Sequence, residues 1–295
     1  MSETTRTRLY TVALIAVVIY GMTPVFTKVG TLSADGITVG ALRAVIAAPV
    51  AAIVIIFMGC RIPLRLDALF LVFVSGMGGL VLFPVFFSWG VQFTTAGHAA
   101  AGTASGAVMA GAIMAVLHRR MPGGPWWIGV AVGSAGALLL IWEALGLSVK
   151  GVTWQGDALV FLGMFVGVLG YVAGARLTAE LGAVTVTMWS VLVAAAFLMP
   201  VVVFHSGVQT LAAIDVPGWL AICSLAWGTT ILAYLLWNRA LADGGVARIG
   251  ALQLLQPVIG IGLAPVILGE PLTPTLLVAT FIILAGVVLV QRERA

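Results

Sequence analysis

A chain of 295 residues with 62% hydrophobic and only 8% charged side chains is not an ordinary soluble domain, which carries about a quarter charged residues. Its mean hydropathy of +1.18 and apolar runs of about 20 residues, long enough to cross a hydrocarbon core, make the lipid bilayer its solvent. The formal net charge of +4 comes from basic residues scattered along the chain and not from one concentrated stripe, so no nucleic-acid partner is expected.

Ten spans are predicted, at 9–29, 37–58, 67–91, 96–117, 125–145, 155–176, 183–204, 216–238, 245–268 and 274–291. Turn punctuation separates them, among it Asp35-Gly36, Pro63, Pro122-Gly123-Gly124, Pro217-Gly218 and Pro271. The runs are about twice the length of a membrane strand and lack its alternation, so the expected class is all-α and polytopic.

In the first span, Arg6 and Arg8 precede an apolar stretch without a small-residue cleavage site, which reads as a retained helix. Pro24 lacks an N–H and leaves the carbonyl of Tyr20 without its helical donor, and Pro84 does the same to Leu80 in the third span. Freed backbone acceptors in hydrocarbon must meet another helix or line a cavity, and broken helices point to transporter binding sites. Arg43, in the second span, is the one basic residue inside a span, a candidate for a substrate carboxylate with Lys28 beside it. Pairing with Asp35, Glu143 or Glu270, or snorkelling, is the structural alternative.

Phe83 and Phe87 share a face of the third span. Met164 and Tyr171, seven apart on the sixth, extend an adaptable apolar wall. In the eighth, Trp227, Thr230, Tyr234 and Asn238 recur at helical spacing, too deep at Trp227 and Tyr234 for an interfacial belt. The ninth carries QLLQP, in which Pro257 frees the carbonyl of Gln253 beside the amides of Gln253 and Gln256. These amides either line a cavity or hydrogen-bond neighbouring helices. Gly102/Gly106, Gly129/Gly133, Gly163/Gly167 and Gly170/Gly174 have the spacing of close helix packing.

Eleven of the fourteen basic residues fall on one side of this topology, which makes it the cytoplasmic side and puts both termini there. FFSWGVQFTTAGHAAAG (86–102) aligns with YLLWNRALADGGVARIG (234–250) at an offset of 148, matching Trp89 with Trp237, Gly97 with Gly245, Ala99 with Ala247 and Gly102 with Gly250. Ser105 and Met109 then stand opposite Gln253 and Pro257. Five spans per copy is odd, so residues 1–150 and 151–295 are expected to enter the membrane in opposite senses. Inverted repeats of this kind build secondary transporters with a midplane site.

YLLWNRAL, GALQLLQPVIG, LGEPLTP and LAGVVLV resemble the second repeat of the EamA branch of the drug/metabolite transporter superfamily. Tyr20-Gly21 and Arg120-Met121 depart from the Trp-Gly and Glu-Pro common in the first repeat. The resemblance implies a carrier in the inner membrane that exports small metabolites, amino acids first, as exporters of the YddG type do, with a permease for another metabolite or a drug-like compound as the alternative. No phosphate loop, HExxH or GxSxG occurs, so neither ATP-driven pumping nor hydrolase chemistry is expected, nor any cofactor or metal. His98, His118 and His205 read as span-end residues without a ligand cluster, and every acidic residue lies in a loop or near a span end. Flux is therefore expected to run down the substrate's own gradient.

Overall fold

A computed structural model describes residues 3–61, 65–118, 123–145, 151–244 and 251–292, and every regular element among them is helical. The helices are α1 (Glu3–Gly21), α2 (Thr23–Thr31), α3 (Gly36–Met58), α4 (Leu66–Ser75), α5 (Phe83–Gln92), α6 (Ala96–Thr103), α7 (Ser105–His118) and α8 (Gly124–Leu145). After them come α9 (Trp154–Leu181), α10 (Ala183–Pro200), α11 (Gly207–Ala213), α12 (Val216–Cys223), α13 (Ala233–Gly244), α14 (Leu255–Leu268) and α15 (Pro274–Arg292).

Among the described residues, seven helical stretches are long and apolar enough to cross a membrane: Leu9–Thr31, Gly36–Met58, Leu66–Gln92, Gly124–Leu145, Trp154–Thr178, Ala183–Ala213 and Val216–Trp237. Two shorter apolar helices cover Leu252–Leu268 and Pro274–Val290, and the fourth predicted span is divided between α6 and α7. Gly245, Ala247 and Gly250 of the repeat alignment lie outside the described residues, as do Arg119, Arg120, Met121, Pro122, Lys150, Arg248 and Arg294.

Helix geometry changes beside three of the span prolines, whereas Pro49 and Pro265 stand inside unbroken α-helix. α1 gives way to α2 one residue before Pro24, and a π-helical stretch, Gly76–Leu82, runs into α5 just before Pro84. A 3₁₀ turn, Ala251–Leu254, precedes α14, whose third residue is Pro257. The carbonyl four residues before each proline has no helical N–H to accept from, and widening or tightening the local turn is the response available to the backbone.

The principal packed pairs are α8 with α15, α5 with α9, α3 with α10, α3 with α5, α1 with α13, and α6 with α14. Small residues set the closest approaches. A Cβ on Gly129 of α8 would lie 2.8 Å from the backbone nitrogen of Val290 and 2.9 Å from the carbonyl of Gly286 on α15. Cys60 and Cys223 are free thiols.

Polar bonds tie one end of the bundle together. Asp35 caps α3, accepting from Ile37 N (3.1 Å), Thr38 N (3.0 Å) and Thr38 Oγ1 (2.6 Å), and meets His205 Nε2 at 3.3 Å. Burial pushes its carboxyl up, but the Thr38 hydrogen bonds and the His205 contact outweigh this and hold it below the usual carboxylate range. Lys28 donates to the carbonyls of Val91 (3.0 Å), Gln92 (3.4 Å) and Thr94 (2.6 Å) around the α5 C-terminus. Glu270 accepts from Ala96 N (2.9 Å) and Gly97 N (3.1 Å), satisfying donors at the start of α6. At the opposite end Arg65 pairs with Glu180 at 2.9 Å, and Trp189 Nε1 donates to the carbonyl of Cys60 at 3.0 Å.

Candidate functional site

A cavity of about 330 Å³ lies within the bundle. Tyr20, Arg43 and Phe83 line it from the N-terminal half of the chain, and Met164, Tyr171, Tyr234, Gln253 and Gln256 from the C-terminal half. Thr187 and Ser190 of α10, which the sequence reading passed over, add hydroxyls to the wall. A wider cavity of about 790 Å³ shares Ser75, Tyr171 and Tyr234 with it and reaches Gly182 and Arg239, toward the end where Arg65 meets Glu180. Residues along α9 record the direction: Met164 to Tyr171 face the first cavity, and Gly174 to Thr178 the second.

Arg43 is 8% exposed, and that remnant opens on the cavity. Its Nε donates to Thr230 Oγ1 at 2.8 Å, and the guanidinium carbon stands 5.9 Å from the Phe83 ring centroid. Thr230 in turn donates to the carbonyl of Leu225 at 3.1 Å, five residues back, within the π-helical stretch Ser224–Leu232. Among the described residues no carboxylate pairs with Arg43. The partners the sequence offered are engaged elsewhere: Asp35 at the α3 cap, Glu270 at the start of α6, and Glu143 beside His98. Lys28 does not join Arg43, because three carbonyls take its ammonium. The amides of Gln253 and Gln256 line the cavity and, among the described residues, take no hydrogen bond. The cavity thus offers an uncompensated cation, two free amides, and an aromatic and hydroxyl wall.

The remaining sequence-singled residues stand off the cavity wall. Phe87 is fully buried, its ring 5.4 Å from that of Phe83. Trp227 is 48% exposed but does not line the cavity, and its Nε1 donates to the carbonyl of Ile46 at 3.1 Å. The i→i+5 winding of Ser224–Leu232 rotates it off the face that ordinary helical spacing would share with Thr230 and Tyr234. Pro24 and Pro257 are buried near the close contact between Gly21 and α14. Ser105 is buried and donates to the carbonyl of Gly102 at 2.6 Å, while Met109 is half-buried on α7.

Near its span end His98 meets two buried carboxylates that the sequence did not announce. His98 Nδ1 lies 2.9 Å from Asp157 Oδ2 and Nε2 lies 3.4 Å from Glu143 Oε2, with all three side chains buried. Thr94 Oγ1 donates to the other oxygen of Asp157 at 2.5 Å. Thr153 caps α9 by accepting from Gly156 N, which leaves the Asp157 side chain free to turn inward. Sequence separation hid the cluster, although all three residues sit just inside the same end of three predicted spans, and that was the available signal. Among the described residues no group of histidine, cysteine and carboxylate side chains is suited to hold a metal.

The EamA-like transporter family profile matches this chain twice, at residues 7–142 and 154–292. The chain is 30% identical over 257 residues to the uncharacterized transporter YdeK of Bacillus subtilis, covering 87% of both sequences. A shorter match, 40% over 78 residues and 26% of each chain, is to a probable amino-acid metabolite efflux pump of Salmonella typhimurium. A crystal structure at 20% identity superposes with a TM-score of 0.65 over 96% of both chains, which shows a shared fold. On the paired family matches and the full-length relative, this chain belongs to the EamA-like transporter family.

Proposed function

We propose that the protein is a secondary transporter that exports amino acids or closely related carboxylate-bearing metabolites across the inner membrane by alternating access. The observation that carries this reading is Arg43, a buried guanidinium on the cavity wall with no carboxylate against it among the described residues. A charge held in a low-dielectric interior is costly until an opposite charge meets it, so the cavity favours an anionic group on its ligand. Gln253 and Gln256 supply donors and acceptors for the rest of a zwitterion. Phe83, Tyr20, Tyr171 and Tyr234 suit a bulky or aromatic side chain.

The proposed topology is ten spans in two inverted five-helix repeats, residues 1–150 and 151–295, with both termini cytoplasmic. Helix pairing supports it. Numbering the predicted spans in order, the main pairs are 5 with 10, 3 with 6, 2 with 7, 1 with 8 and 4 with 9. Exchanging every span with the one five places away turns these five pairs into themselves, as two copies related by a twofold axis require, whereas the pairing of 2 with 3 has no equally extensive counterpart between 7 and 8. With the arginine-rich end cytoplasmic, the two joined cavities make this an inward-facing conformation.

The test is counterflow in proteoliposomes loaded with unlabelled amino acid. Labelled substrate should enter transiently against its own gradient, with saturation. Linear, non-saturating entry would indicate a channel, and counterflow with another metabolite class but none with amino acids would replace the substrate assignment.

A further inference from the structure

The cluster of His98, Glu143 and Asp157 takes no part in lining the cavity, yet it joins three helices at one end of the bundle. His98 stands near the start of α6, Glu143 near the end of α8 and Asp157 in the first turn of α9. The imidazole is flanked on both edges, hydrogen-bonded to Asp157 at Nδ1 and approached by Glu143 at Nε2. The two carboxylates therefore approach opposite sides of the ring and share no point where a cation could sit between them.

We infer that this cluster is a proton-binding site that fastens α8 to α6 and α9 when occupied and releases α8 when empty. A neutral imidazole has one N–H. Donated from Nδ1 to Asp157, it leaves the Nε2 lone pair facing the Glu143 carboxylate, a repulsive contact. One proton from the aqueous phase, bound at Nε2, gives an imidazolium that donates to both carboxylates, and its return to water restores the repulsion. The contacts are unequal in the way this requires. Asp157 is hydrogen-bonded to the ring and to Thr94, whereas His98 Nε2 and Glu143 Oε2, both buried, each lack a hydrogen-bond partner. The Glu143 contact is the one poised to part.

Other charges around the site are already committed. From α2, Lys28 is held on the carbonyls of Val91, Gln92 and Thr94. Ahead of α15, Glu270 is held on the first N–H groups of α6, while Arg292 lies at the far end of α15. The facing α5 and α14 carry no ionisable side chain, and His118 of α7 lies at that helix's distant end. Asp35 and His205 form a separate pair at the same end of the bundle. Along α9, Asp157 precedes the cavity residue Met164 by about 10 Å of helix rise, so parting of α8 would loosen the end of the bundle opposite the wider cavity.

The test needs no substrate, and its failure is therefore distinct from failure of the transport reading. Spin labels are placed at the exposed positions 93 and 145 (Phe93→Cys, Leu145→Cys) of the full chain in nanodiscs, with Cys60→Ala and Cys223→Ser removing the native thiols. Distances are measured at about pH 5.5 and about pH 8.5, on either side of the ordinary histidine range. The expected result is a longer-distance population that grows at least about threefold at the higher pH. In Glu143→Gln the amide donates to the Nε2 lone pair, and the pH response is lost with the short distance retained. An unchanged distance distribution in the parent protein overturns the inference without recourse to any variant, and an undiminished pH response in a folded Glu143→Gln protein overturns it as well.

Discussion

Arg43 shows how much one side chain can set the character of a membrane cavity. Its Nε is fixed by Thr230 and its guanidinium lies over the Phe83 ring, so the ordering that a flexible arginine would undergo on binding is already in place. Arg43→Leu should weaken apparent substrate affinity at least about tenfold, the loss of a charge-assisted hydrogen bond of about 1.5–3 kcal/mol, and Arg43→Lys should recover part of it. Concentration-dependent counterflow checks both. Gln253→Leu and Gln256→Leu should each reduce flux while the purified protein stays monodisperse; normal flux in both would return these amides to a packing role. Asp35 belongs to a different account. As the α3 cap its replacement in Asp35→Ala should cost about 1 kcal/mol, read as a lower melting temperature. Because its folded pKa is depressed, that contribution is present above the unfolded carboxylate value and fades as pH falls through the folded one, so parent and variant should converge in acid.

Among elements, the irregular stretches decide which side chains reach the cavity. Pro24, Pro84 and Pro257 were legible in the sequence as points where backbone acceptors lose their donors, and the helix break, the π-helical turn and the 3₁₀ turn lie beside them. What single-period reasoning missed is the second-order effect: once Ser224–Leu232 winds as a π-helix, Trp227 leaves the face it was expected to share with Tyr234. Tyr20, Arg43, Phe83, Met164, Tyr171 and Tyr234 were legible because depth, aromatic spacing and intramembrane charge all survive such local rewinding. The His98 cluster was not, since its members lie 45 and 59 residues apart and only the three-dimensional pairing of α6, α8 and α9 unites them. Packing at this scale is testable through glycine. Gly129→Leu drives a side chain into the backbone of α15 and should destabilise the fold by about 1–3 kcal/mol or more, whereas Gly262→Ala meets nothing within 4 Å and should be neutral or stabilising by up to about 1 kcal/mol. Thermal unfolding in detergent separates the two, and equal behaviour would deny that the α8–α15 seam is as close as it stands here.

For the whole molecule, two cavities that share Ser75, Tyr171 and Tyr234 toward one end and a polar-bonded opposite end suit the proposed carrier with one face open. The central claim is that the ligand enters as an anion or zwitterion and meets Arg43 with its carboxylate. Equilibrium binding to the purified protein, comparing a bulky neutral amino acid with its primary amide and with the amine lacking the carboxyl group, tests this most directly. The amino acid should bind at least about tenfold more tightly than either analogue in the parent protein, and Arg43→Leu should erase that preference while leaving the weak binding of the analogues unchanged. Equal affinity for all three compounds, or a preference that survives intact in a folded Arg43→Leu protein, would contradict the account.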